Sequence, residues 1–293
     1  MKLKIFSVLF FSLLLCSAGT AKASLYLQQA PVSRQIEILQ QEIRVLKALI
    51  SNFNLRQEIS ADSYIAVDLS DNSTVLEKNS AKSYPIASVT KLMNAVVASE
   101  NIPMSQTITL TDQMLTPFGY SPCIFTGLKI SADNLLRSAL TQSVNDAAEA
   151  LSYFVGNEKF IGLMNQKAKE LGMQDTVYYD TTGLNPANHS TAKDLSKLIA
   201  YVNQKHPELL SITKDNDFWL PDSKGNFLKF ENENNFYYLP EFVGGKTGYL
   251  PEAKQTMASV FQLNGKSFGI IVLHSANRMA DIFNIIRQLQ NKI

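Results

Sequence analysis

The hydrophobic period of the chain changes twice along its length, and this order of periods restricts the fold more than any other feature of the sequence. Residues 64–69 and 74–76 alternate apolar and polar side chains around Asp71-Asn72, which predicts a β-hairpin. The middle of the chain follows the helical period, over residues 88–99, 132–155, 158–171 and 190–201. Strand patterns return after Pro221, at 226–230, 242–249, 255–263 and 267–274, before a last helix at 276–291. We therefore predict an α+β domain in which the terminal strands share one antiparallel sheet with the helices packed on it.

The first 23 residues differ from the rest of the chain. Two lysines precede an apolar run at residues 5–15 that is too short to span a bilayer comfortably, and alanines at 21 and 23 offer a cleavage site. We predict a signal peptide over residues 1–23, export of the protein, and no transmembrane span after cleavage. An uncleaved anchor is the alternative.

Charge and cysteine content exclude further classes of protein. The chain has 27 Lys and Arg against 26 Asp and Glu, and loss of residues 1–23 removes three lysines and no acid, which leaves a net charge of −2. This balance offers no basic surface for phosphates, so we expect no nucleic-acid partner. Cys123 would be the one cysteine left, so an intrachain disulfide is excluded and its thiol is expected to pack in the core.

Residues 24–57 contain no glycine and predict one amphipathic helix with a heptad pattern. The apolar positions of this pattern alternate spacings of four and three, at Val32, Ile36, Leu39, Ile43, Leu46, Ile50 and Phe53. Two interpretations stay open: the helix lies on its own domain, or residues 32–53 form a parallel coiled-coil homodimer.

A serine and a lysine three residues apart lie on one face of a helix, and such a lysine can take the serine proton when burial lowers its pKa. Ser-x-x-Lys occurs three times, at 88–91, 190–193 and 211–214. Only Ser88 leads into a strongly apolar helix, which would bury the lysine stem. Ser88 and Lys91 are therefore the candidate nucleophile and base.

Two more short motifs could share a cleft with this pair. Ser143 and Asn145 stand before a helix, where a hydroxyl can relay a proton and an amide can bind a substrate carbonyl or the lysine. Lys246-Thr247-Gly248 lies in a glycine-rich strand and offers a cation and a hydroxyl to a substrate carboxylate. Lys246 would also lower the pKa of Lys91 by like-charge repulsion.

The ordered trio Ser-x-x-Lys, Ser-x-Asn, Lys-Thr-Gly resembles the penicillin-recognising serine peptidases. Longer stretches are similar to the D-alanyl-D-alanine carboxypeptidases and endopeptidases, the low-molecular-mass penicillin-binding proteins. These stretches are residues 87–95, 145–148, 182–184, 189–195 and 245–249. The resemblance covers about residues 60–290 and implies one catalytic domain at 58–293. It implies a β-lactamase/transpeptidase-like fold, an antiparallel sheet with flanking helices and a mainly helical subdomain, here preceded by the heptad helix.

The resemblance also implies a function. The protein would be an exported D-Ala-D-Ala carboxypeptidase of the bacterial cell envelope, periplasmic or secreted, that acts on peptidoglycan stem peptides, is inhibited by β-lactams and needs no cofactor or metal. It implies that Ser88 is the nucleophile, Lys91 its general base and Ser143 the proton donor. Asn145 would hold the substrate and the lysine, Lys246 and Thr247 would bind the substrate carboxylate, and Gly248 and Tyr249 would belong to the substrate-binding strand. The backbone N–H groups of Ser88 and Tyr249 would form the oxyanion hole.

Several alternatives stay open from the sequence. The same motifs suit an endopeptidase that cuts D-Ala–diaminopimelate cross-links, since both reactions break a bond after D-Ala. A class A β-lactamase needs a Glu for deacylation, and residues 176–186 contain Asp180 but no Glu. An inactive wall-binding homologue is the non-enzymatic alternative. The three histidines are far apart in sequence and no His-Glu-x-x-His motif is present, which speaks against a metal hydrolase.

Overall fold

The computed structural model describes residues 58–115 and 121–292. The predicted signal peptide, the heptad helix at 24–57 and its possible dimer contact lie outside these residues. Within them the structure has seven α-helices and eleven strands, with the longest strands toward the two ends of this region and most helices between them, as the periods predicted. The strands are β1 Ser63–Asp68, β2 Ser73–Lys78, β3 Ser83–Pro85, β4 Thr107–Thr109, β5 Lys129–Ser131, β6 His189–Thr191, β7 Phe218–Pro221, β8 Phe227–Phe230, β9 Phe242–Leu250, β10 Lys254–Leu263 and β11 Lys266–Ser275. The helices are α1 Thr90–Asn101, α2 Ala132–Thr141, α3 Asn145–Ser152, α4 Asn157–Glu170, α5 Ala192–Lys205, α6 Pro207–Lys214 and α7 Arg278–Gln290.

The central sheet confirms the α+β prediction. Its five strands run in the order β2-β1-β11-β10-β9, and every neighbouring pair is antiparallel. The first hairpin of the chain pairs with the last, since Ser63 lies opposite Leu273. Three two-stranded pairs, β3-β6, β4-β5 and β7-β8, complete the β structure of the described residues.

Alternation along the central strands separates two apolar clusters, because successive side chains point to opposite faces of a sheet. Ile271 and Leu273 join a large cluster with the buried faces of α1, α2, α3 and α5. Ile270 and Val272 join a smaller cluster with Phe261, Phe268 and helix α7. The core is therefore two layers of helices around one sheet, and β9 forms an edge of that sheet.

The structure corrects the prediction of one helix over residues 132–155. Helix α2 ends at Thr141 and α3 begins at Asn145, and Ser143 between them has a φ of 60°. A non-glycine residue in the left-handed region cannot continue a helix. The break places Ser143 and Asn145 at the end of a helix rather than inside one.

Two further differences from the prediction concern the start of one helix and elements that were not predicted. Residues 189–191 form strand β6, so the helix predicted from Ser190 begins at Ala192, with the Thr191 side chain capping Asp194 N–H. Helix α6, with Pro207 in its first turn, and strand β7 were not predicted.

Cys123 is buried as expected, with its thiol 3.4 Å from the Leu220 carbonyl oxygen. In the residues that the structure covers, no helix is long and apolar enough to cross a membrane.

Candidate active site

A tight turn positions Ser88 at the start of α1. Residues Ala87–Val89 form a 3₁₀ turn that runs directly into the helix, and Ala87 has a φ of 49°. Gly183 approaches this turn so closely that a Cβ there would lie 1.9 Å from the Ala87 carbonyl oxygen. Since Gly183 also has a φ of 88°, this position tolerates only glycine. The turn leaves Ser88 partly exposed and Lys91 buried, with 1% of the lysine accessible.

The Lys91 amine is surrounded by three oxygens. It donates to Ser88 Oγ at 3.0 Å, to Asn145 Oδ1 at 2.7 Å and to the Thr182 carbonyl at 2.8 Å. An ammonium has three donors, so every one of them is used. Once the amine loses a proton, its lone pair can accept the proton of the nearby Ser88 hydroxyl.

Burial holds the pKa of Lys91 well below its usual value, because desolvation disfavours the charged form. The positive charge of Lys246 lowers this pKa further, while Asp180 and Glu233 oppose the shift. The same cause acts on Lys246, whose pKa burial lowers to about 8; Glu233 opposes this shift and Arg278 adds to it. A buried amine in contact with a hydroxyl, with its pKa lowered, is the base that a serine nucleophile needs.

Strand β9 passes along the Ser88 turn. A Cβ at Gly248 would lie 2.9 Å from both Ser88 N and the Ile86 carbonyl oxygen, so the glycine lets the two backbones approach. Thr247 is 5% exposed, Lys246 donates to the Thr247 carbonyl at 3.1 Å, and Tyr249 is 65% exposed. Strand β9 therefore brings Lys246 and Thr247 near Ser88, although they are far from it in sequence.

The break between α2 and α3 supplies the third part of the site. Asn145 reaches Lys91, and Ser143 stands two residues before it in the left-handed turn. Asn94 on α1 fixes this arrangement, since its amide donates to the Ala148 and Thr181 carbonyls at 2.9 and 3.0 Å. One buried amide thus holds α3 and the 180–184 loop against the nucleophile helix.

The other Ser-x-x-Lys copies make different contacts. Ser190 Oγ lies 2.7 Å from Thr176 Oγ1, and Ser211 donates to the Pro207 carbonyl of its own helix at 3.3 Å. The histidines are dispersed: His274 contacts Asp62, His206 contacts Glu100 and Glu208, and His189 contacts the Ala187 carbonyl. Across residues 58–115 and 121–292, no group of three or more His, Cys, Asp or Glu side chains could hold a metal ion.

A family model described as D-alanyl-D-alanine carboxypeptidase matches residues 51–277. The chain belongs to this family. It is 31% identical over 238 residues to the D-alanyl-D-alanine endopeptidase of Escherichia coli K12, covering 78% of this chain and 76% of the relative. It is 27% identical to the D-alanyl-D-alanine carboxypeptidase DacF of Bacillus subtilis 168, over 72% of this chain and 57% of the relative.

Solved structures agree with this family. Penicillin-binding protein D2 from Listeria monocytogenes, in its cefotaxime-bound form, superposes with a TM-score of 0.69 at 27% identity, over 80% of this chain and 98% of that one. The chain is therefore a serine hydrolase with the DD-peptidase fold, as the motifs predicted.

Three features of this candidate site were not identified as site residues in the sequence. The Thr182 acceptor is a backbone carbonyl, which no side-chain motif reveals, although residues 182–184 were part of the family resemblance. Asp180 shapes that loop by accepting from the N–H groups of Thr182, Gly183 and Asn185. Arg278 comes from the first turn of α7 and donates to the Gly248 carbonyl at 3.1 Å.

A partly buried carboxylate, Glu149, also lies near the site, on α3 rather than in the 176–186 segment. Burial raises the pKa of Glu149, and the nearby Asp180 carboxylate adds to this effect. Its two oxygens accept from the Thr181 hydroxyl and, at 2.8 Å, from the Asn157 amide. Both oxygens are engaged with the structure around them, so Glu149 supports the 180–184 loop.

Proposed function

We propose that this chain is an exported serine D-Ala-D-Ala carboxypeptidase that removes the terminal D-Ala of peptidoglycan stem peptides through an acyl-enzyme on Ser88. The observation that supports it most is the 3.0 Å contact between the Ser88 hydroxyl and the Lys91 amine. Burial, aided by the charge of Lys246, keeps the pKa of that amine well below its usual value, which favours the neutral form that a general base requires.

In the first step, neutral Lys91 takes the Ser88 proton while Oγ attacks the carbonyl carbon of the penultimate D-Ala. Asn145 and the Thr182 carbonyl hold the amine by accepting its hydrogens, which keeps its lone pair directed at Oγ. The backbone N–H groups of Ser88 and Tyr249 are our candidates for stabilising the oxyanion, because β9 runs against the Ser88 turn at Gly248.

The leaving amine then needs a proton. Ser143 is the candidate relay, since it lies two residues before Asn145, which accepts a hydrogen bond from Lys91. The C–N bond breaks, the terminal D-Ala departs as an amine, and its carbonyl partner stays as an ester on Ser88. Water then attacks the ester, with Lys91 again as base, and frees the enzyme.

The terminal carboxylate of the substrate would lie against Lys246, Thr247 and Arg278. Lys246 and Arg278 bring positive charge from β9 and α7, and the Thr247 hydroxyl adds a donor. A β-lactam carries an amide bond and a carboxylate in a similar arrangement, so β-lactams are expected to acylate Ser88 and inhibit the enzyme. Cleavage of a D-Ala cross-link remains the alternative reaction of the same residues.

Export to the periplasm or the cell surface fits this substrate. It rests on the signal sequence predicted at residues 1–23. The helix predicted at 24–57 and a homodimer through residues 32–53 remain proposals, which sedimentation of the purified protein at micromolar concentration would test.

The reaction itself is tested by incubating the purified enzyme with a free stem pentapeptide and with intact sacculi, followed by mass analysis of the products. We expect a loss of one D-Ala from the pentapeptide and formation of a long-lived penicilloyl adduct with penicillin. Rapid turnover of nitrocefin would instead indicate a β-lactamase. Absence of both the adduct and any product would indicate an inactive wall-binding homologue.

A further inference from the structure

The hairpin formed by β7 and β8 presents one face to solvent. In the register of its strands Trp219 lies opposite Lys229 and Pro221 lies opposite Phe227, so these four side chains point to the same side. We call them the aromatic face. The side chains that alternate with them join the large apolar cluster of the domain. The hairpin is therefore fixed to the core on one side and leaves the aromatic face free on the other.

Two rings of the aromatic face are strongly exposed for their size. Phe227 is 68% exposed, the largest value for a large apolar side chain among the described residues, and Trp219 is 47% exposed. The outward side of a surface hairpin accepts polar residues at no cost to the core. Contiguous apolar surface in water instead commonly marks a binding site. Packing within this domain does not account for the two rings, which indicates a ligand.

Polar contacts hold the rings before any ligand arrives. The indole Nε1 donates to Asp217 at 2.9 Å, and the Lys229 ammonium lies 5.9 Å from the centroid of the indole. At the tip of the hairpin, Asp222 accepts from the backbone N–H groups of Lys224 and Asn226 at 2.8 and 2.9 Å. A surface fixed in this way loses little conformational entropy on binding.

The aromatic face combines flat apolar rings with charged groups at its rim. Sugar rings have the matching chemistry, because their C–H groups lie on an apolar face and their hydroxyl groups project from the edge. Such C–H groups stack on the electron-rich face of an aromatic ring. The Asp217 carboxylate can accept from the hydroxyl groups and the Lys229 ammonium can donate to them.

The charges of the hairpin favour an uncharged polysaccharide over a lipid bilayer. Residues 217–230 contain two acidic side chains, Asp217 and Asp222, and two basic ones, Lys224 and Lys229. Attachment to an anionic bilayer uses an excess of Lys and Arg beside the inserted rings. Hydroxyl groups are neutral and hydrogen-bond to charges of either sign, so balanced charge suits a sugar.

The segment that follows β8 joins the hairpin to the candidate active site. Glu233 N–H donates to the Thr141 carbonyl at the end of α2 at 3.1 Å. The Asn234 amide donates at 3.0 Å to the carbonyl of Gly245, one residue before Lys246. The four-residue strands extend about 13 Å from this base. A stem peptide of about five residues spans at most about 17 Å, so its far end can reach the hairpin.

We propose that the aromatic face binds the polysaccharide strand to which the stem peptides of peptidoglycan are attached. The inference rests on the proposed function and adds a binding surface outside the catalytic cleft. Sugar rings of the strand stack on Trp219 and Phe227 while a peptide of the same strand reaches Ser88. The hairpin thus holds the enzyme on its polymer and raises the local concentration of peptide ends at the nucleophile.

Binding can be measured at the aromatic face itself, because Trp219 is the single tryptophan of the chain. The probe is the tetramer of N-acetylglucosamine, which carries no peptide and no charge. We expect it to change the Trp219 emission saturably, and Phe227→Ala to weaken its affinity about fivefold or more. The matched control is Tyr238→Ala, which removes another exposed ring outside the hairpin and should keep the affinity within about twofold.

Kinetics supply a second readout. The kcat/KM values are measured for a pentapeptide carried on a glycan fragment and for the same pentapeptide in free form. The double variant Trp219→Ala, Phe227→Ala should lower the ratio of the two values about tenfold, through a higher KM for the glycan-linked peptide. It should keep the free pentapeptide within about twofold of wild type and should still be labelled by fluorescent penicillin.

The inference is overturned if the tetramer leaves the wild-type Trp219 emission unchanged, or if the double variant keeps the wild-type ratio. A response to phosphatidylethanolamine–phosphatidylglycerol vesicles in place of the sugar would assign the aromatic face to a membrane. A change in sedimentation of the double variant would assign it to a second copy of the chain. Failure of the proposed function would differ, because Ser88 would take up no penicillin while the tetramer would still change the Trp219 emission.

Discussion

Two copies of Ser-x-x-Lys follow or overlap two paired strands, β3 and β6, and have opposite burial. Ser88 is partly exposed with Lys91 buried, whereas Ser190 is buried with Lys193 exposed. The strands that carry them toward their helices pair directly, because Tyr84 of β3 lies opposite Ser190 of β6. Identical spacing on adjacent segments therefore gives one pair whose buried lysine contacts its serine and one pair whose lysine is exposed.

The start of each helix explains the difference. The turn at Ala87–Val89 leads into α1, so Ser88 and Lys91 share a helical face. Thr191 instead caps α5, which leaves Ser190 in extended backbone, one residue before the cap. Since side chains alternate across a strand, Ser190 points into the core toward Thr176. The Ser–Lys contact therefore depends on where the helix begins relative to the motif, rather than on the motif itself.

The largest predicted effect separates the two serines. Ser88→Ala removes the attacking oxygen, so acylation by fluorescent penicillin and D-Ala release should both fall by about a thousandfold or more. Ser190→Ala should still be labelled, while loss of its hydrogen bond with Thr176 should cost about 1 kcal/mol of unfolding free energy, measured by denaturant titration. Retained labelling of Ser88→Ala would remove Ser88 as nucleophile.

The next effect compares Lys246 with Lys214 of the third Ser-x-x-Lys copy. Lys246→Ala removes a buried cation beside the proposed carboxylate site, and we expect a loss of about a hundredfold in kcat/KM for peptides with a free C-terminal carboxylate. Lys214→Ala, at the end of α6, should change kcat/KM less than twofold or so. Equal losses in steady-state assays would contradict the assignment of Lys246.

A smaller effect concerns the support of the Ser88 turn. Gly183→Ala and Gly172→Ala both place a side chain at positive φ, but only at Gly183 does the new Cβ meet backbone, 1.9 Å from the Ala87 oxygen. Gly172→Ala should cost about 1 kcal/mol in stability and leave activity near wild type. Gly183→Ala should cost more and also slow acylation by about tenfold, because a shift of the turn misplaces Ser88. Comparable kinetics of the two folded variants would argue against this support.

The smallest effect is a change in the pH profile. Activity should rise with pH as Lys91 loses its proton, since the neutral amine is the base, and fall above about pH 8 as Lys246 loses its charge. Arginine stays protonated at these pH values, so Lys246→Arg should lose the alkaline limb while its acid limb remains. An unchanged alkaline limb in pH-dependent kcat/KM measurements would assign that limb to another group.

The sequence predicted the sheet, most of the helices and the three motifs because each has a local signal. The hairpin at 64–76 and the strands after 240 carry the period of two, and Lys-Thr-Gly has distinctive neighbours. The break after Thr141 was missed because residues 132–155 keep a helical pattern, and that pattern does not reveal the left-handed backbone of Ser143.

The parts of the site that could not be predicted come from tertiary contacts. The Thr182 carbonyl has no side-chain signature, and Arg278 reaches β9 only because α7 starts beside the end of that strand. Glu149 looks like any helical surface residue in sequence, yet it is engaged with Thr181 and Asn157. Such contacts join residues far apart in the chain, which periodicity cannot relate.

The close passage of β9 beside the Ser88 turn has a consequence for the timing of activity. Gly248 touches residues that precede it by about 160 positions, so synthesis and transport must deliver most of the polypeptide before the reactive hydroxyl has its neighbours. Any fragment that stops short of this strand lacks Lys246 and Thr247. The proposed active site would therefore be complete only once strand β9 has been synthesised and has paired.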